Sequence, residues 1–406
     1  MTPSVSIGGC ISRRGPEQAL SSLYFHIPFC LSKCAYCAFN SIPLTSDEDL
    51  TRYLALLLRE MDAHEKWLSE QTIDTIYFGG GTPSLIPEST LARFIDKIFD
   101  RVEDIAIDAE ITMECNPETL TRNKLTGFLT SGINRLSIGV QSFDENVLRF
   151  LERCHNARQS QAAILEARDV GFCNVSVDLI MGLPWPHQDV FRTDIETALQ
   201  ISPEHLSVYL LSADTPSRFS RYVAEGRLEL PDEDSQATQF LEAHAILTES
   251  GYEHYEVSNF AIPGFESQHN LGYWQGKQYL GLGAGAHSYM ILNGRPTRLG
   301  NIPVIEEYAK AILDNRSPAE INEEITAPMA IRERVMLELR TSGGIDPEKY
   351  GDRCDVIRKA LDSVVERNWF VVEDGKYRPT PEGMLVADGM AGLMWDYLDE
   401  LDDTDA

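Results

Sequence analysis

Apolar and polar positions along the first 210 residues alternate between two rhythms. Short apolar runs at 22–26, 75–78, 105–114, 135–140, 174–180 and 205–210 predict strands. Between them, apolar residues recur at helical spacing. They do so over 47–69, with Leu54, Leu57, Leu58, Met61 and Trp67 prominent, and over 89–99, 120–131, 145–151, 159–170 and 188–199. Six strand–helix units in series, with strands that read as near-continuous apolar runs, predict a parallel sheet covered by helices. The fold class expected is α/β, a partial (β/α)6 relative of the eight-unit barrel. In barrels of that kind chemistry gathers at the C-terminal ends of the strands.

After residue 215 the rhythm changes. A helix is predicted over 232–250, and 252–300, rich in Gly, Tyr, His and Asn, reads as irregular. Helices at 327–339 and 354–367 precede two short strands, 369–372 and 376–378, joined at Asp374-Gly375, which predicts a hairpin. This mostly helical module is winged-helix-like. The expected division is a flexible lead-in over 1–19, a core barrel over 20–215, a barrel extension or linker over 216–302, the helical module over 303–395 and an acidic tail over 396–406.

The charge changes the functional picture. The 406 residues carry a net charge of −28, with 43% hydrophobic residues, enough for a full core. Such a surface repels phosphate backbones and anionic lipid heads. The winged-helix-like module has no basic stripe, and six of the last twelve residues are Asp or Glu. No nucleic-acid partner is expected. No run of 18 apolar residues occurs, so no integral membrane segment is expected, and the first 20 residues lack the apolar stretch of a secretory signal. A cytoplasmic protein is the expectation. Eight cysteines are too few for a disulfide scaffold, and a reducing compartment suits them.

Three of those cysteines stand close together, in Cys30-Leu31-Ser32-Lys33-Cys34-Ala35-Tyr36-Cys37, just after the first strand. Three thiolates at C-x3-C-x2-C spacing can hold three irons of a [4Fe–4S] cluster and leave the fourth iron open to a small molecule. A zinc site would want a fourth protein ligand at a fixed spacing, which neither His26 nor His155 supplies. Cys10, Cys115, Cys154, Cys173 and Cys354 show no ligand spacing and read as buried apolar groups or surface thiols.

Other candidates also fall at strand ends. Gly79-Gly80-Gly81-Thr82-Pro83 follows the second strand, and its glycines let backbone groups approach a ligand or simply make a tight turn. Glu114 ends the third strand, Gln141 follows the fourth, Arg153 lies twelve residues later, and Asp178 is on the fifth. Each alone reads equally as a satisfied polar group. Together they offer acceptors for an ammonium and ribose hydroxyls, and a cation for a carboxylate. Gly281-Leu282-Gly283-Ala284-Gly285 lacks the βαβ context of a dinucleotide site. His269-Asn270-Leu271-Gly272-Tyr273-Trp274 places a histidine beside aromatics, suited to an apolar pocket, a heme iron or a hydrogen-bonded turn.

The cysteine loop, the Gly-Gly-Gly-Thr-Pro run, Gly139-Val140-Gln141-Ser142-Phe143 and Asp178-Leu179-Ile180-Met181-Gly182-Leu183-Pro184 together resemble the radical S-adenosylmethionine (SAM) superfamily. The branch is that of oxygen-independent coproporphyrinogen III oxidase, also called the dehydrogenase, and the likeness spans about residues 22–380. The dehydrogenases carry a further cysteine two residues after the third ligand, where this chain has Phe39. The His-Asn-x-x-Tyr-Trp string is instead similar to the heme chaperone HemW group. That resemblance implies a protein that binds heme and passes it to apo-hemoproteins, using a [4Fe–4S] cluster and SAM and lacking dehydrogenase activity. It implies Cys30, Cys34 and Cys37 as cluster ligands. Tyr24, Tyr36, Gly80, Gly81, Thr82, Glu114, Gln141, Arg153 and Asp178 match SAM-contacting positions, and His269 is the candidate heme ligand. The other activity the resemblance allows is radical oxidative decarboxylation of porphyrinogen propionates.

Overall fold

The computed structural model describes residues 20–402 except 185 and 188. The predicted lead-in and the last residues of the predicted acidic tail lie outside the described residues. The strands are β1 (Leu20–Ile27), β2 (Phe29–Cys30), β3 (Ile42–Pro43), β4 (Thr72–Gly80), β5 (Asp104–Cys115), β6 (Arg135–Gln141), β7 (Val175–Met181), β8 (His205–Leu210), β9 (Glu253–Glu256), β10 (Asn259–Ala261), β11 (Tyr279–Leu282), β12 (His287–Leu292), β13 (Arg295–Asn301), β14 (Ala319–Glu324), β15 (Phe370–Glu373) and β16 (Lys376–Pro379). The helices that matter to the site are α1 (Asp47–Asp62), α2 (Glu65–Leu68), α3 (Glu88–Phe99), α4 (Arg122–Thr130), α5 (Glu145–Phe150), α6 (Ala157–Val170), α7 (Val190–Ile201), α8 (Arg218–Ala224), α9 (Glu233–Glu249) and α10 (Gln268–Trp274).

One twelve-stranded sheet runs in the order β14-β13-β12-β11-β1-β4-β5-β6-β7-β8-β10-β9. Its central strands, β1 and β4 to β8, are parallel neighbours, as the six-unit reading expects. Their outward faces are apolar: Leu23, Phe25 and Ile27, then Ile76 and Phe78, Ile111 and Met113, Leu136 and Ile138, Val175 and Val177 are all nearly inaccessible. Helices α1, α3, α4, α6 and α7 cover this face, each with an apolar stripe of its own.

The inward face departs from the sequence reading. The strands are not apolar throughout; they alternate, and their other face carries buried polar groups: Ser22, His26, Thr75, Thr112, Arg135, Ser137, Ser176 and Ser207. The sheet therefore encloses a polar lumen, in which a buried Arg135–Glu110 pair sits 3.8 Å apart. Short β-branched and apolar runs hide this alternation, because one small polar residue between two valines barely lowers the local hydropathy.

Residues 252–300 are also more regular than expected. They hold β9 to β13 and α10, and β11 pairs in parallel with β1, carrying the sheet past its first strand. The Gly281–Gly285 run serves this junction: the Gly281 N–H donates to Ser288 Oγ at 2.9 Å and the Gly283 N–H to Glu60 Oε2 at 2.8 Å. Beyond α11 (Ile305–Leu313), α12 (Ala327–Glu338) and α13 (Cys354–Val365), with the β15–β16 hairpin, pack around a separate apolar core that includes Val335, Leu339, Leu361 and Phe370. No described helix is long and apolar enough to cross a membrane.

Candidate functional site

The cysteine loop leaves the C-terminal end of β1. It is closed by β2 and β3, which pair Phe29 with Ile42 and Cys30 with Pro43. The Gly80–Thr82 turn after β4 grips its start: the Gly81 N–H donates to Ile27 O at 2.8 Å and the Thr82 N–H to Phe29 O at 2.7 Å. A Cβ on Gly81 would lie 2.6 Å from Phe29 O, so only glycine lets the two backbones meet. Gly80, at φ +111°, turns its N–H onto Glu114 Oε2 at 3.0 Å. The glycine run is thus a clamp on the cysteine loop as well as a candidate ligand cradle.

Behind the loop opens a cavity of about 570 Å³. Cys30, Cys34, Cys37, Glu114, Arg153 and Asp178 all line it, with Tyr36, Gly80, Gly81, Thr82 and Gln141 on its walls. Residues from five strand ends and two loops, up to 148 positions apart in the sequence, meet at one place. The thiols are free. Among the described residues no three His, Cys, Asp or Glu side chains are drawn tightly enough to hold a single metal ion. Three thiols from one loop lining the cavity are the donor type that an iron–sulfur cluster takes. Burial pushes the Cys34 and Cys37 thiols up, and the Arg153 charge pulls Cys34 back.

Arg153 organises the far wall. Its Nη2 donates to Asn116 Oδ1 at 2.7 Å and to Gly139 O at 2.8 Å; Nη1 lies 3.6 Å from Cys34 Sγ and 3.5 Å from Tyr36 OH. Its Nε is buried with no hydrogen-bond partner. Asn116 joins this wall to the glycine turn through its Nδ2, 3.1 Å from Thr82 Oγ1. Asn116 is a residue the sequence reading passed over, although it sits two positions after Glu114. Gln141 has φ +70° at the irregular end of β6, which aims its side chain back over Gly139.

Two carboxylates form the floor. Glu114 accepts from Tyr77 OH at 2.9 Å and from Gly80 N–H; burial pushes it up to about 7 against these bonds, and the Asp178 charge adds to the rise. Asp178 accepts from Ser137 Oγ at 3.0 Å and is also raised by burial, with Ser207 and Ser137 opposing. A cationic ligand group beside these acids would lower both and be held in turn.

Tyr24 and His269 lie deeper, in the lumen beneath the cavity. Tyr24 OH is 3.0 Å from His26 Nδ1, and its ring stacks on Tyr77 at 6.1 Å. His269 stacks on Tyr77 at 4.8 Å; its Nδ1 is 2.8 Å from Thr75 Oγ1 and its Nε2 2.9 Å from Tyr273 OH. Burial pushes it down to about 3, so it is neutral. The helix α10 that carries it caps onto Glu110: the Gln268 and His269 N–H groups each lie 3.1 Å from that carboxylate. His269 is 2% exposed, and both its ring nitrogens are engaged within the protein. It braces the wall that Tyr77 and Glu114 form.

Cys154, which sequence spacing gave no role, also touches the loop: its Sγ is 3.1 Å from Ser32 Oγ.

Comparison with known proteins gives a consistent result. Residues 24–197 match the family model described as Radical SAM superfamily. A heme chaperone HemW of Bacillus subtilis (strain 168) is 33% identical over 378 residues, covering 92% of this chain and 98% of that protein. A heme chaperone HemW of Escherichia coli (strain K12) is 33% identical over 366 residues, covering 87% and 95%. Among solved structures, the coproporphyrinogen III oxidase HemN of Escherichia coli, titled a radical SAM enzyme, superposes with a TM-score of 0.79 at 24% identity, covering 95% of this chain and 92% of that one. This last likeness speaks to the fold.

Proposed function

The chain belongs to the radical SAM superfamily and, within it, to the heme chaperone HemW family, and from that premise we propose that it binds heme and delivers it to apo-hemoproteins. The observation that carries the reading is the near full-length match to heme chaperones. Phe39 at the place of the dehydrogenases' further cysteine agrees with it.

Cys30, Cys34 and Cys37 would hold a [4Fe–4S] cluster. Glu114, Asp178 and the Gly80–Thr82 turn would receive the amino and ribose groups of SAM, and Arg153 its carboxylate. When bound, the pair supplies one-electron chemistry. The chain's own residues hold the polar ends of that ligand, and the Thr82–Asn116–Arg153 linkage keeps the two walls in register. All seven described cysteines are free, which suits a reducing cytoplasm.

The test is transfer. The chain is loaded with heme, freed of excess and mixed with an apo-hemoprotein. The acceptor's holo spectrum is expected to grow faster than from heme-loaded albumin. No transfer, or transfer at the albumin rate, overturns the carrier reading.

The retained Glu114 and Asp178 pair favours one second reading, radical decarboxylation of a porphyrinogen propionate. Anaerobic incubation with coproporphyrinogen III, SAM and reductant would then yield protoporphyrinogen. No product where a control enzyme works removes it.

A further inference from the structure

The cysteine loop separates two spaces. Inside is the 570 Å³ cavity with its acidic floor; outside is an open groove of about 840 Å³ between the loop and α8. Lys33, Cys34, Cys37 and Thr215 line both, so the spaces meet at the loop's edge. The chain carries a net −28, yet the groove gathers Lys33, Arg218 and Arg221 against a single carboxylate, Asp214.

Helix α8 is fixed to the loop. The Phe219 N–H donates to Ala35 O at 3.0 Å, and Arg218 Nη2 donates to Lys33 O at 2.7 Å and to Glu152 Oε2 at 2.5 Å. Arg218 is therefore spent on structure. Arg221, one turn on and on the same side of the helix, is exposed, and its guanidinium has no hydrogen-bond or ion-pair partner among the described residues. Lys33 Nζ donates to the backbone Phe39 O at 2.9 Å, which holds its ammonium at that residue. Phe39 is 66% exposed, and Tyr209 and Leu210, which line the inner cavity with it, are 44% and 42% exposed. Large apolar groups exposed together beside a free cation call for a ligand that is apolar on its face and anionic at its edge.

We propose that heme docks on this rim, its macrocycle against Phe39, Tyr209 and Leu210 and its two propionates on Lys33 and Arg221. The site rests on the heme-carrier reading and gives it an address at the cavity's mouth, distinct from His269. Phe39, Tyr209 and Leu210 belong to the inner cavity's wall, so the site takes its mouth and leaves the floor at Glu114 and Asp178 to SAM. It also leaves the heme on an open surface, from which an acceptor protein can take it.

The experiment is a hemin titration of the cluster-reconstituted chain followed by Soret absorption. The parent is compared with Arg221→Glu, Lys33→Glu/Arg221→Glu and Phe39→Ser, and hemin with its dimethyl ester. Iron and sulfide content controls for folding. The double charge reversal is expected to weaken hemin about tenfold or more and to leave the uncharged ester within twofold. Phe39→Ser should weaken both ligands. If the parent binds hemin and the charge variants stay within twofold, this site is wrong while the carrier reading stands. Equal weakening of hemin and ester overturns the propionate assignment. A parent that binds no hemin sinks the carrier reading itself, and the site with it.

Discussion

Glu60 is a buried carboxylate on α1 that ties three distant elements together. Its oxygens accept from the Gly283 N–H at 2.8 Å, Asn301 Nδ2 at 2.5 Å and Tyr308 OH at 2.5 Å. Burial outweighs these donors and pushes it from 4.5 up to about 7. The folded state thus binds the proton more tightly than the unfolded one. The stabilisation is complete below pH 4.5 and is lost as pH rises through 7. The gap, at 1.36 kcal/mol per pH unit, is worth about 3 kcal/mol. Glu60→Gln should flatten that fall, measured as urea midpoints from pH 5 to 8; an unchanged slope would show that Glu60 does not carry it. His269 makes the second prediction at this scale. His269→Ala should cost about 2–4 kcal/mol of stability and weaken SAM binding roughly tenfold by freeing Tyr77, while one heme per chain still binds. Loss of heme alone would instead make His269 the heme ligand. The sequence located this histidine but not its surroundings. A string of neighbours shows that aromatics are near, and only the folded barrel shows that Thr75, 194 positions earlier, takes one of its nitrogens.

At the scale of elements, the cysteine loop is held from two sides, by the glycine turn after β4 and by α8. Gly81→Val would drive a side chain into Phe29 O. Iron retained after reconstitution should fall by half or more, with the far-ultraviolet circular dichroism unchanged; full iron content would show that the turn does not grip the loop. The parallel strands were legible because each is a separate apolar run bounded by turn residues. Their polar inner face was not, since Ser, Thr and Gly at alternate positions disturb an apolar run too little. Residues 252–300 were misread as irregular for a related reason. Strands of three to seven residues, anchored by side chains such as Gln278 and Ser288, carry too few positions for a period to show.

Over the whole molecule, the sheet's twelve strands bring a cysteine loop, two carboxylates and one arginine to a single cavity, and the outer edge of the same loop meets α8 in the groove outside it. The sequence named nearly all of the first set, because those residues fall at strand ends. It missed the groove's cations, because Lys33 and Arg221 are ordinary surface residues until α8 is laid against the loop. The net charge of −28 acquires a use in this arrangement: the acidic surface elsewhere repels an anionic ligand, and the cationic groove is where it can settle. Anaerobic titration of the reconstituted chain with hemin tests the heme-carrier account most directly. The account predicts a shifted Soret band that saturates at one heme per chain; unsaturable uptake, or no shift at all, would contradict it.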